Sequence, residues 1–183
     1  SPASSGKLIC DLKQLLSQAH LLNETQLDEL LSSPREPGES LVAKFVKSGM
    51  VSEERLLRAL AEVLDLSFTR IAEHELNAAA RAKVPTKVVF QFNVMPMHAD
   101  EVSLVVATND PFNLAMLESL RMVTQCNVQI VLSTEADILK ALKRYYGVGA
   151  ETLDKLVQKN VVDIDDVEPI SDENLEDVDE EAS

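Results

Sequence analysis

The sequence predicts an α+β fold, with an N-terminal helical hairpin subdomain followed by a compact α/β unit whose three- or four-stranded sheet is flanked by helices. Three observations predict it. Residues 8–65 place Leu and Val at helical spacing between turn signals. After residue 66, short Val-rich runs alternate with helical patterns. The core must be aliphatic, because 45% of the residues are hydrophobic while aromatics make up 4% and Trp is absent. At 183 residues the chain can hold one ordinary domain, or one domain with a small second unit and a tail.

The helical part comes first. "LICDLKQLLSQAH" sets Leu8, Leu12, Leu15, Leu16 and Ala19 on one side, and Asn23 caps a second run with Leu27, Leu30 and Leu31. "SSPREPGES" interrupts with two prolines and a glycine. Residues 40–48 are helical again. Gly49 then falls where a left-handed C-cap belongs, and Ser52 caps a helix with Glu53 and Glu54 in its first turn. Leu56, Leu57, Leu60, Val63 and Leu64 form the apolar side of that helix. With an offset of 29 residues the two pieces repeat: His20 falls on Gly49, Asn23 on Ser52 and Leu27 on Leu56. Two repeats make a small subdomain, since a solenoid needs at least about three.

The second unit spans 66–147. "LSFTRI" reads as a short extended run, "HELNAAARAKV" as a helix, and Pro85 as a reset before the apolar segment 86–92. "VMPMHAD" and "EVSLVVATND" are strands joined by a turn at Asp100-Glu101, with Val102, Leu104 and Val106 alternating inward. In "ATNDPFN", Asn109 and Asp110 fold back on the backbone and Pro111 takes the first helical position, with Leu114, Leu117 and Leu120 as one stripe. "NVQIVLS" is another strand, and "TEADILKALKRYYG" a helix stopped by Gly147. Residues 148–183 are expected to be an acidic linker or disordered tail, because 163–181 hold 11 acids and no base.

Charge restricts the function. The net charge is −14, which opposes nucleic acid as a partner, since phosphates must be met by a basic surface. Residues 151–183 carry 13 acids and 2 lysines, so −11 of that total sits there. The first 150 residues are nearly neutral. Cys10 and Cys126 are far apart and form no CxxC, and His20, His74 and His98 are isolated in sequence, so no metal site or disulfide framework is indicated. Neither a phosphate-binding G-x-x-x-x-G-K-[ST] nor a G-x-S-x-G elbow occurs, and no cofactor is expected. The chain reads as a non-enzyme. With no apolar run near the roughly 20 residues of a membrane span, and no signal peptide, it reads as cytoplasmic.

Three blocks in order, "LVAKFVKSGMVSEERLLRALAEVLDLSFTRI", "VPTKVVFQFNVMPMHADEVSLVVATNDPFN" and "VQIVLSTEADILKALKRYYG", resemble the N-terminal domain of type II secretion and type IV pilus assembly ATPases, the GspE N-terminal or MshEN domain. The resemblance covers about residues 8–147 and is most specific at "VSLVVATNDPFN" and "I..AL.RYYG". It implies a bacterial protein-transport setting and a chain that continues into an ATPase core. It also implies protein-protein interaction with the cytoplasmic part of an inner-membrane platform protein, which would recruit the chain to that membrane.

One subgroup of the family binds cyclic di-GMP through a tandem R-L-G-x-x-Φ-Φ-x-x-G-Φ-Φ-x4-L-x3-L-x2-Q pattern. Here Leu41, Phe45, Val46, Gly49, Met50, Val51, Leu56 and Leu60 keep the apolar frame, while Ser40 replaces the Arg, Val42 a glycine and Val63 the Gln. In the first repeat the corresponding residues are Asp11, Lys13 and Pro34, with His20 at the hinge. Ser40 and Asp11 cannot supply a guanidinium's planar donor fork. A nucleotide site near Ser40, Leu41, Val42, Gly49 and Val63 is therefore ranked below a purely structural hairpin. Phe45, Met50 and Val51 are the partner-binding candidates if exposed. The readings in order are a platform-docking module, a cyclic di-GMP sensor, and a stand-alone adaptor built on the same fold.

Overall fold

The computed structural model describes residues 12–147. Cys10, Asp11, the expected helix start at Leu8 and the acidic stretch 148–183 lie outside the described residues.

Polar caps set the order of the first helices. A helix over 12–18 (α1) ends at His20, whose φ is +53°, and α2 (Glu24–Ser32) begins at Asn23. The Asn23 side chain accepts the Gln26 N–H, and the Gln26 side chain in turn accepts the Asn23 N–H, a reciprocal capping box. Ser40 Oγ accepts the Ala43 N–H to start α3 (Leu41–Lys47), and Ser52 Oγ accepts the Arg55 N–H to start α4 (Glu53–Val63). Gly49 turns the chain between α3 and α4 at φ +76°. A Cβ built there would meet no atom within 4 Å, so glycine is wanted for the left-handed backbone and not for room.

The rest of the described chain runs through a 3₁₀ turn (Ile71–Glu73), α5 (Ala78–Lys83), α6 (Thr86–Phe92), β1 (Met95–Ala99), β2 (Ser103–Thr108), α7 (Leu114–Thr124), β3 (Asn127–Leu132) and α8 (Glu135–Tyr146). The three strands form one mixed sheet in the order β1-β2-β3. β1 pairs antiparallel with β2 through the tight Asp100 turn, and β2 pairs parallel with β3 across the α7 crossover. The expected α+β architecture is what forms, with three strands.

Local details depart from the sequence reading for physical reasons. The run at 66–71 adds a single bridge, Phe68 to Leu132, and no fourth strand. The helix expected from His74 begins at Ala78, because the Asn77 side chain accepts the Ala79 N–H. Val102 is 65% exposed: the Asp100 carboxylate accepts the Val102 and Ser103 N–H groups, which holds Val102 in the turn. Pro111 stands in the turn before α7, whose cap is Asn113. Leu114 is exposed although Leu120 is fully buried. A step of three residues drifts about 60° around a helix, so positions six apart differ by about 120°. Met116 joins Leu120 in the core instead.

Buried apolar side chains fall into two clusters. One joins the sheet (Met95, Leu104, Val106) to α5 to α8 through Ala80, Val89, Met116, Leu120, Ile138 and Leu142. The other gathers Leu16, Leu27, Leu30, Leu41, Phe45, Leu56, Leu57 and Leu60 from the helical part. Leu132 of β3 is buried in that second cluster, with Phe68 and Phe112 packed against it. The sheet therefore supplies part of the core of the helical hairpins.

Candidate functional site

Of the five residues of the nucleotide reading, Ser40 and Leu41 line a common cleft, which Val42, Gly49 and Val63 do not line. Ser40 spends its hydroxyl on the α3 cap, and Leu41 and Val42 are buried in the helical core. Gly49 lies past the other end of α3, and half-buried Val63 closes α4. Ser40 and Leu41 do line one shallow cleft of about 280 Å3, together with Arg35, Gly38 and Asp110. Burial raises the Asp110 carboxyl above its ordinary range, opposed by the Phe112 N–H it accepts and by the charge of Arg35. Arg35 is thus a guanidinium near the position where the family's Arg is replaced by Ser40.

The partner candidates also separate. Phe45 and Val51 are buried in the helical core, so neither can meet a partner, while Met50 is 40% exposed. The frame residues are explained by packing. Exposed apolar surface lies instead on α7, where Leu114 is 68% and Met122 71% exposed. These two are eight residues apart and fall on neighbouring lines of the same outward side, with Glu118 between them. Part of the signal is in the sequence: Leu114 belongs to a leucine set spaced by three residues and so drifts out of its buried stripe, and Met122 lies about 120° around the helix from buried Met116.

A larger cleft of about 630 Å3 opens between α4, the segment 67–74 and the sheet. The Arg58 guanidinium sits 4.3 Å from the centre of the Phe68 ring, and Arg58 and Arg70 share the Glu54 carboxylate at 3.0 and 2.7 Å. Thr69 Oγ1 lies 2.5 Å from His74 Nε2, and His98 lines the same space. His74 and His98, isolated in sequence, are brought together by the β1 register and the 71–74 turn. One carboxylate holding two guanidiniums stabilises the joint between α4 and the segment after it.

A second polar joint links the helical part to α8. The Glu53 carboxylate accepts the Glu135 N–H at 2.6 Å, at the N-terminus of α8, and a hydrogen bond from the Asn109 side chain. Burial raises the Glu53 carboxyl, and these two hydrogen bonds work against that rise. Asn109 therefore reaches across to α4, where the sequence suggested a fold back on its own backbone.

Among the described residues, no group of three or more His, Cys, Asp or Glu could hold a metal ion. No helix among them is long and apolar enough to cross a membrane.

Comparison with known proteins agrees with this architecture. Residues 64–152, a little under half of the chain, match the MshEN domain. The type IV pilus assembly ATPase PilB of Myxococcus xanthus is 26% identical over 171 residues, covering 93% of this chain and 30% of that protein. Bacteriophage adsorption protein B of Escherichia coli is 26% identical over 135 residues, covering 74% of this chain and 18% of its own length. The chain thus spans less than a third of the curated relatives it matches. Among solved structures, MshE with cdg shares the fold at a TM-score of 0.65 and 24% identity, over 74% of this chain and 98% of that one. The N-terminal domain of XpsE shares it at 0.57 and 22%, over 74% and 93%. The direct match, the shared fold and the three sequence blocks agree in likening residues 64–152 to the MshEN domain.

Proposed function

We propose that this chain is a non-catalytic docking module which ties a secretion or pilus ATPase, continued in the same polypeptide, to the cytoplasmic part of an inner-membrane platform protein. The observation that carries the reading is the outward side of α7. Leu114 and Met122 stand there largely in solvent, on a helix whose other side is locked into the sheet by Met116 and Leu120. A rigid helix with exposed apolar anchors suits a partner helix or groove, and its ordering cost is already met by the fold. Similarity to PilB over nearly the whole chain favours a motor as the remainder of the polypeptide.

The test is capture of partners from cell membranes by the full-length protein, compared with the L114S/M122S double variant. Both side chains are exposed, so the variant should fold as the parent does. Capture of a platform protein by the parent and its loss in the variant is expected. Equal capture by both moves the contact off α7, and capture of no platform protein by the parent overturns the docking role.

A second reading, cyclic di-GMP sensing, is favoured by two observations: the shared fold with MshE, solved with cdg, and Arg35 in the cleft with Ser40 and Leu41. Calorimetric titration of the dinucleotide into micromolar protein decides it. Saturable heat that disappears in R35A supports a sensor, and absence of heat leaves the hairpins structural.

A further inference from the structure

The C-terminal half of α8 and the 3₁₀ turn before α5 enclose a groove of about 480 Å3. Its floor is apolar, from Ile71, Ala72 and Ala141, and its rim is basic, from Lys140, Lys143 and Arg144 against the single carboxylate of Asp137. All three cations are exposed, and among the described residues none is in a salt bridge. Tyr145 closes the end of the groove with Arg81 4.6 Å and Arg144 5.3 Å from its ring centre, and Arg81 Nη1 is buried without a hydrogen-bond partner among the described residues. The groove is thus apolar below and cationic above, in a chain whose net charge is −14.

The complementary pattern lies further along the same polypeptide. Residues 161–170, "VVDIDDVEPI", interleave four acids with five aliphatic residues and contain no base. We propose that this segment docks in the α8 groove of its own chain, its Val and Ile side chains on the Ile71–Ala141 floor and its carboxylates on Lys140, Lys143 and Arg144. Length permits it: the thirteen residues 148–160 separate Gly147 from Val161, fourteen Cα steps that span up to about 46 Å when extended, whereas Asp137 to Tyr145 measures about 12 Å along the helix. Tethering favours it over any free acidic peptide, because a short linker gives an effective concentration of order millimolar. Bound there, the segment masks the cationic rim, and any acidic partner of α8 has to displace it.

The test uses the full 183-residue chain and reads backbone and side-chain NMR shifts at Ile71, Ala141 and Tyr145. The parent is compared with the neutralised variant D163N/D165N/D166N/E168Q, and with the rim variant K140E/K143E/R144E as a check from the other side. The neutralised variant changes only residues outside the described ones, whereas the rim variant reverses charge in the last turn of α8 and is read only where its helical circular dichroism equals the parent's. Docking is supported if neutralisation shifts the groove resonances, if the shift is the same over a tenfold range of protein concentration, and if raising salt from about 0.05 to 0.5 M reproduces it in the parent. Shifts confined to residues beyond 147 overturn the proposal. Groove shifts that grow with protein concentration also overturn it, because they assign the groove to a second copy of the chain.

Discussion

At the scale of single residues, four left-handed positions without glycine explain much of the path: His20, Asp65, Asn93 and Gln125 all have φ between +53° and +56°. Each follows or ends a helix, and none carries the glycine that would have announced it in the sequence. Gly49 and His20 occupy equivalent places in the two hairpins, so they form a matched pair for a test. G49A should destabilise the chain by about 1–2 kcal/mol through backbone strain alone, since no atom crowds the new Cβ. H20G relieves the same strain and should leave stability unchanged or raise it by up to about 1 kcal/mol, read by urea denaturation. Glu53 makes a different prediction. Its carboxyl is raised in the fold, mainly by burial, so the folded state holds the proton more tightly than the unfolded chain does. The ionised group therefore weakens stability as pH rises through the window between the ordinary carboxylate value and the raised one, and the cost persists at neutral pH. Relative to E53Q, the parent should gain melting temperature as pH falls from about 7 to 4. A difference that does not change with pH would remove Glu53 from this role.

At the scale of elements, the capped helices were readable because caps are local chemistry. Asn23, Ser52, Thr134 and Gly147 act where their residue types indicate. Asn77 and Asn113 capped later than expected, because an Asn can cap from any of several nearby positions and only the packed sheet chooses among them. The failed fourth strand has a similar cause. Residues 67–69 do pair with β3, through Leu132 N–H to Ser67 O and Thr69 N–H to Leu132 O at 2.8 Å each, but the chain then turns into the 3₁₀ segment at Ile71. Leu132 is fully buried at the contact between β3 and the helical hairpins. L132A should cost about 2–5 kcal/mol and should raise amide exchange in α2 to α4 as much as in the sheet. Protection lost only in the sheet would mean that the hairpins do not depend on β3.

At the scale of the whole molecule, the class of fold was visible from periodicity, whereas the surfaces were not, because they depend on which contacts the sheet leaves uncovered. The residues that matched the family frame, Phe45 and Val51 among them, are core. The cleft that joins His74 to His98, the Glu53 joint and the α8 groove are built from segments distant in sequence, and no local pattern contains them. We propose that 12–65 and 66–147 are two cores of one cooperative unit, since Leu132, Phe68, Phe112 and the Glu53 to Glu135 hydrogen bond cross between them. A single calorimetric transition whose van't Hoff and measured enthalpies agree is expected, and two resolved transitions would separate them. The docking role is tested most directly by placing a photo-crosslinking amino acid at Met122 of the full-length protein in its own cells, with a control probe at exposed Arg55 on α4. A covalent adduct between Met122 and an inner-membrane platform protein, absent from the Arg55 control, is the result expected of a motor-docking module. An adduct from Arg55 alone, or none from either position, would contradict docking through α7.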